Sequence, residues 1–259
     1  MEKEMIDYHC HLLPAIDDGA SDLDESLKMA RILSDFGFTT VHCTPHRIRG
    51  CYENDPPRVI RATRTMQGIL DHAGIPLKLL AGGEHYLDEF LPELLPGAPT
   101  IGAAKCVLVE APFGAGPELL RPMLATFTRL GLTPLIAHPE RCKAFEPAVK
   151  EQGLRGRLSF VLGRQKAADL EGTEIARLRQ SGCHFQGNLG SFAGYYGSEV
   201  KERALLFLRN GIYSCLGSDA HRSEQLKDML AAGIAAVASA AGEEKAFELL
   251  RGFGGGDTL

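Results

Sequence analysis

The chain alternates short apolar runs with stretches in which apolar residues recur at helical spacing, and polar or Gly/Pro breaks separate the two. A short apolar run reads as a strand and the helical period as an amphipathic helix, so the rhythm predicts βα alternation. Strands are expected at Met5 to Leu13, Phe38 to Pro45, Leu77 to Tyr86, Cys106 to Pro112, Thr133 to His138, Cys183 to Asn188 and Ile212 to Ser218. The first helix is expected from Asp22 to about Phe36, with Leu23, Leu27, Ala30 and Leu33 on one stripe and Ser21 or Asp22 as its cap. Further helices are expected at Arg58 to His72, Glu118 to Leu130, Glu199 to Arg209 and Glu224 to about Leu250. Such alternation predicts an α/β fold with a parallel sheet, and closure into a barrel is the economical arrangement, with an open doubly wound sheet as the alternative. The apolar run Leu158-Ser159-Phe160-Val161-Leu162 falls outside this rhythm, and the Gly-rich residues 252–259 read as a frayed tail. No linker interrupts the pattern, so residues 1–259 are taken as one domain.

Composition narrows the function classes. With 44% hydrophobic and 24% charged residues in 259, the chain can bury a full core. A net charge of -5 is the wrong sign for a nucleic-acid binder. No apolar stretch of signal-peptide type stands at the N-terminus, and the Ala-rich run Ala231 to Gly242 is too short to span a bilayer, so membrane insertion is not expected. Seven scattered cysteines, never spaced CxxC, suggest neither a disulfide framework nor a zinc ribbon and fit a reducing cytoplasm.

Parallel α/β folds carry their chemistry at the C-terminal ends of strands. Those ends hold His9-Cys10-His11 followed by Asp17-Asp18-Gly19, then Thr44-Pro45-His46, Gly82-Gly83-Glu84, Val109-Glu110, His138-Pro139-Glu140-Arg141 and Ser218-Asp219-Ala220-His221. Residues two apart on a strand share a face, so His9 with His11, and Asp219 with His221, can each grip an ion. A lone histidine is more often a satisfied core or surface residue, but six strand ends in agreement point to a multi-metal site of imidazole and carboxylate donors. His42, His72, His85 and His184 receive the bland reading and stay outside it.

With these motifs and Gly190-Ser191-Phe192-Ala193-Gly194-Tyr195-Tyr196-Gly197, the sequence resembles the bacterial metal-dependent protein-tyrosine phosphatases of the polymerase-and-histidinol-phosphatase (PHP) superfamily, the CpsB/YwqE type linked to capsule and exopolysaccharide synthesis. The resemblance implies a distorted (β/α)7 TIM-like barrel of the PHP type holding three divalent ions, manganese first, with iron or zinc as alternatives. It implies that His9, His11, Glu84 and Asp219 hold one ion, that Glu84 bridges to a second held by Glu110 and His138, and that Asp18, His46 and His221 hold the third. Residues 154–171 then read as an insertion. The family's arginine several residues beyond the last histidine is not aligned here, which makes Arg222 its candidate replacement. The implied substrate is a phosphotyrosine protein, specifically the tail of a bacterial tyrosine kinase.

The charges agree with a phosphomonoester substrate. Three divalent ions against Asp18, Glu84, Glu110 and Asp219 leave a cavity charge of about +2. Water between two such ions is acidified toward a pKa of about 7, so hydroxide serves as the nucleophile and no side-chain nucleophile is needed. Arg141 can fork onto phosphate oxygens, although a surface salt bridge is its bland alternative. Arg47, Arg49, Tyr52 and the pair Tyr195-Tyr196 are candidates for gripping a tyrosine-rich peptide, as are ordinary solvated loops. Three readings compete with this one. The stretch from His42 to Arg49 matches the HCx5R pattern of cysteine phosphatases but lacks their phosphate-cradling glycines. The other two are a PHP phosphoesterase acting on a small alkyl phosphate such as histidinol phosphate, and a vestigial metal-bound scaffold that binds a kinase.

Overall fold

In a computed structural model of the chain, residues 4–114, 116–146 and 170–253 are described. The first half runs β1 (Ile6–Cys10), α1 (Leu23–Phe36), β2 (Thr40–Cys43), β3 (His46–Arg47), α2 (Pro56–His72), β4 (Lys78–Ala81), β5 (Glu84–Tyr86) and α3 (Leu91–Leu94). It continues through β6 (Cys106–Glu110), α4 (Pro117–Leu130), β7 (Thr133–Ala137) and two 3-10 turns, Pro139–Arg141 and Lys143–Phe145. The last part is α5 (Glu174–Gln180), β8 (His184–Asn188), α6 (Leu189–Ala193), α7 (Ser198–Arg209), β9 (Cys215–Gly217), α8 (Leu226–Ala241) and α9 (Glu243–Arg251). Helix starts follow local chemistry: Asp22 accepts the Glu25 amide at 2.9 Å, and Asp55 caps α2 ahead of a proline in its first turn.

Every strand pairing is parallel, in the orders β1-β2-β4 and β3-β5-β6-β7-β8-β9. The residues after β9 return to β1: Cys10 bridges Ala220, the Asp219 amide donates to the His9 carbonyl at 2.7 Å, and the His11 amide donates to Ala220 at 3.0 Å. Because β2 with β3, and β4 with β5, are each one interrupted strand, the ring has the expected seven staves and closes as a distorted barrel. The interruptions lie side by side at Thr44-Pro45, where proline has no amide to give, and at Gly82-Gly83. The ladder is carried across them by the Gly82 amide on Cys43 O at 2.8 Å and the Glu84 amide on Pro45 O at 3.0 Å. Both staves therefore bend together, and His46 lands directly opposite Glu84.

A second irregularity shapes the barrel interior. Ile6 pairs with Thr40 and Asp7 with Val41, but Cys10 pairs with Cys43, so Tyr8 and His9 together stand against His42 alone. This bulge resets the two-residue alternation. Ile6 and Tyr8 pack with Cys106, Leu108, Leu135, Ala137 and Cys215 in the lower barrel, while His9 and His11, of opposite parity, also face inward above them. Val41, Cys43, Val107, Val109 and Ile136 face the other way, into the larger core shared with the helices.

Several expectations change. The helix expected over Glu224 to Leu250 is two helices, because Gly242 between them sits at a φ of 90°. The short helices α3, α5 and α6 were not expected. Of the tail expected from residue 252, Phe253 is packed: its ring lies edge-on against Tyr8 and His184, at centroid distances of 5.7 and 5.1 Å, and closes the bottom of the barrel. Residues 254–259 and the Leu158–Leu162 run lie outside the described residues, as does most of the insertion expected at 154–171.

Candidate metal centre

The top of the barrel is a cage of side chains from the ends of six staves. Nε2 of His9 lies 3.2 Å from Glu84 Oε2 and 3.3 Å from Asp219 Oδ1, and Nε2 of His11 is 3.4 Å from each of the same two oxygens. His46 turns Nδ1 to Glu84 Oε2 at 3.1 Å and Nε2 to Asp18 Oδ1 at 3.5 Å. His138 Nε2 reaches Glu84 Oε1 at 3.1 Å and Glu110 Oε1 at 3.7 Å, and His221 Nε2 is 3.5 Å from Asp18 Oδ1. All nine residues expected as ligands therefore meet; the donor atoms of eight fall into three groups, and His138 joins them through Glu84 and Glu110. His9, His11, Glu84 and Asp219 form one; His46, Glu84 and Glu110 a second; His11, Asp18, His46 and His221 a third.

Tautomers reveal what the cage lacks. The Nδ1 of His9 faces the Gln186 carbonyl oxygen at 2.9 Å, and the Nδ1 of His11 faces an Asp17 carboxylate oxygen at 2.7 Å. Each neutral ring must donate there, because neither oxygen can, so both Nε2 atoms present lone pairs. Those atoms lie 3.1 Å apart, facing carboxylate oxygens. Nδ1 of His46 and Oε2 of Glu84 are likewise buried without a hydrogen-bond partner, although they face each other. A buried cluster of acceptors is costly unless a cation fills it, and mixed imidazole and carboxylate donors suit divalent transition metals. Left to protons alone, burial works against a charged His9, but Glu84 and Asp219 outweigh it and push its pKa up to about 9. Burial, then the neighbouring Glu84, pushes Glu110 up to about 7.

Supporting groups fix the cage, and sequence reasoning missed most of them. Asp17 accepts from His11, from the Gly19 amide at 2.9 Å and from the His46 amide at 3.0 Å, which ties the first loop to the second. Gly19 lies so close that a Cβ there would sit 2.3 Å from the His11 carbonyl oxygen. Asp219 and His138 both adopt left-handed backbone, with φ of 53° and 29°. Such strain costs on the order of 1–3 kcal/mol per residue and needs anchors. For Asp219 these are Asn188 Nδ2 and Arg141 Nη1, each donating to Oδ2 at 2.8 Å. Buried Glu140 accepts the Asn188 amide at 3.0 Å and the Tyr213 hydroxyl at 2.9 Å, so it holds the β8 end in turn. Amides such as Gln186 and Asn188 carry no charge or spacing signal in a sequence; only position reveals them.

The remaining candidates separate. Arg141 stands at the cage, on Asp219. Arg222 instead clamps loop carbonyls, donating to Asp18, Gly19 and His221. Arg47 donates to the Leu94 carbonyl at 2.6 Å, while Arg49 pairs with Glu93 and stacks on Phe90, so both fasten the second loop to α3. Tyr195 is exposed, and its neighbour Tyr196 is the one that covers Arg141. Tyr52 stacks on His46 at 5.7 Å. The cysteine alternative loses its geometry: Cys43 lies in the outer core, burial pushes its thiol well above the usual range, and the Arg49 of its motif is occupied by Glu93. His42 and His85 are buried away from the cage's donor groups, and burial lowers both to about 4.

A family model described as capsular polysaccharide synthesis, CpsB/CapC, matches residues 5–154 and 163–253. The chain is 31% identical over 223 residues to the tyrosine-protein phosphatase YwqE of Bacillus subtilis, across 84% of this chain and 77% of that one. It is 25% identical over 247 residues to the tyrosine-protein phosphatase CpsB of Streptococcus agalactiae serotype V, across 95% and 94% of the two chains. Among solved structures it is similar, with a TM-score of 0.76 and 28% identity over 95% of this chain and 91% of the other, to one from a study of YwqE of Bacillus subtilis and CpsB of Streptococcus pneumoniae, described there as metal-dependent tyrosine phosphatases. A histidinol phosphate phosphatase from Lactococcus lactis shares the fold, with a TM-score of 0.54 at 13% identity over 92% of this chain and 94% of the other.

Proposed function

The chain belongs to the capsular polysaccharide synthesis family CpsB/CapC, and on that premise we propose that it is a metal-dependent phosphatase of protein phosphotyrosine. The observation that carries this reading is the buried cluster of lone pairs on His9, His11, Glu84 and Asp219, which asks for a cation. His9, His11, Glu84 and Asp219 would hold one ion, Glu84, Glu110 and His138 a second, and Asp18, His46 and His221 a third. Manganese is the proposed metal, and iron and zinc suit the same donors. When bound, the ions supply an acidified water as nucleophile and positive charge for the phosphoryl oxygens.

The chain's own groups do the rest. Gln186 and Asp17 hold His9 and His11 in the tautomer whose Nε2 faces the centre. Arg141 spends one N–H on Asp219 and turns its remaining donors to the phosphate, where a planar fork matches two oxygens. A phenol leaves with a pKa of about 10, so a tyrosyl ester needs less help from a general acid than an alkyl ester. The partner is a phosphotyrosine segment of a bacterial tyrosine kinase in the cytoplasm. In agreement with that setting, all seven cysteines are free, and among the described residues no helix is long and apolar enough to cross a membrane.

The test loads metal-stripped protein with manganese, iron or zinc in turn and follows phosphate release from a phosphotyrosine peptide and from histidinol phosphate. Metal-dependent release from the peptide, with manganese the best activator, is expected. Preference for histidinol phosphate would overturn the substrate, and activity untouched by a chelator would overturn the cage.

A further inference from the structure

Among the described residues the large exposed aromatic side chains are Phe113, Tyr195 and Tyr196, and two of the three converge on one atom group at the mouth of the cage. Phe113, 46% exposed, comes from the loop after β6, and its ring centroid lies 4.6 Å from the Arg141 guanidinium carbon. Tyr196, 40% exposed, follows α6 and lies 4.2 Å from the same carbon. We propose that Phe113 and Tyr196 form an aromatic slot that selects aryl over alkyl phosphate esters, which deepens the phosphatase reading above and rests on it.

The geometry supports a role toward substrate in three ways. Exposed aromatic rings leave apolar surface in water, so two of them meeting at a charged site mark a binding surface more readily than a packing accident. The guanidinium they flank is already oriented by Asp219, with Nη1 and Oδ2 2.8 Å apart, so cation–π contact adds to an anchor that exists without it. The Phe113 ring also lies 6.0 Å from His138, so it borders the cage. A phosphate bound by Arg141 would bring its ester oxygen beside these rings, each of which stacks on the same guanidinium. The first carbon beyond that oxygen belongs to an aromatic ring in an aryl ester and to a flexible, hydrated chain in an alkyl ester. Only the former can stack.

The slot is specific in sequence. Glycine at residue 190 lets Tyr196 pack closely: a Cβ there would stand 3.1 Å from both the tyrosine ring and Asn188 Oδ1. Gly190 and Tyr196 thus act as a pair within the Gly190–Gly197 motif.

Binding of two non-hydrolysable anions to the metal-loaded enzyme separates selection from chemistry. Inhibition constants are measured for phenylphosphonate and methylphosphonate against turnover of a phosphotyrosine peptide. Phe113→Ala and Tyr196→Ala should each weaken phenylphosphonate about fivefold, as expected for loss of one aromatic contact, and leave methylphosphonate within about twofold. Tyr196→Phe should retain the preference, and Gly190→Ala should reduce it. Weakening of both anions in parallel would mean that the rings only position Arg141, and an unchanged ratio would mean that they touch nothing; either result overturns the slot. A wild-type enzyme that binds both anions and hydrolyses the peptide, but whose variants keep the ratio, sinks this inference alone. A wild-type enzyme that hydrolyses no phosphotyrosine peptide with any metal sinks the phosphatase reading and the slot with it.

Discussion

The two halves of the barrel interior are built on the same strands and end in opposite chemistry. Below, Ile6, Tyr8, Leu108, Leu135 and Cys215 close an apolar plug finished by Phe253; above, imidazoles and carboxylates crowd together. Histidine occurs in both. His42 stacks on Tyr8 at 5.3 Å and has no carboxylate beside it, so burial, with Lys78 adding to it, lowers its pKa to about 4 and it remains a neutral ring. His9 is equally buried, yet Glu84 and Asp219 reverse the outcome and raise it to about 9. Burial alone does not decide what a histidine does; the carboxylates that accompany it do.

The largest break in that contrast comes from Glu84, which reaches His9, His11, His46 and His138. Glu84→Gln should cost at least about a hundredfold in kcat/KM together with bound metal, read by phosphate release and elemental analysis. Retained metal and turnover would refute the bridging role. In the lower half, acid should be the lever. Between the ordinary histidine pKa of 6.5 and the lowered value of about 4, unfolded chain binds a proton at His42 that the folded chain does not. The stability this contributes is complete above pH 6.5 and is lost as the pH falls toward 4, at most on the order of 3 kcal/mol. His42→Phe should flatten that part of the profile of denaturant midpoint against pH; an unaltered profile would show that His42 does not report it.

A smaller effect is expected one layer out. Asp17→Asn keeps the shape and weakens the acceptor for His11, and metal affinity should fall about 10–100-fold in a titration of protein shown to be folded by circular dichroism. The smallest is Cys43→Ser. Turnover should stay within about threefold, because the thiol lies in the outer core and not in the cage. Abolished turnover in a folded variant would revive the cysteine mechanism.

Sequence carried the strands because each is a short apolar run, and it carried the cage because nine His, Asp and Glu residues recur at strand ends. His9 and His11 were legible from alternation alone. The breaks at Thr44-Pro45 and Gly82-Gly83 were less so, since Pro and Gly also end strands, and only the amides continued across the gap show that these strands resume. The contacts of Arg47 and Arg49 to a helix carbonyl and Glu93 were not legible, because an arginine on a loop looks the same whatever it meets. Gly242 follows an Ala-rich helix whose pattern runs on into Glu243–Arg251, so the break left only one residue as its mark.

The offset in β1 has a consequence for how this barrel can vary. Residues up to Tyr8 and from His9 onward obey opposite phases, and the first set fills the plug while the second arms the cage. Substitutions there alter one contact at a time. Losing or gaining a single residue would leave one phase turned outward among the helices, either emptying the floor or dispersing the imidazoles, so this stave is far less free to change in length than in spelling.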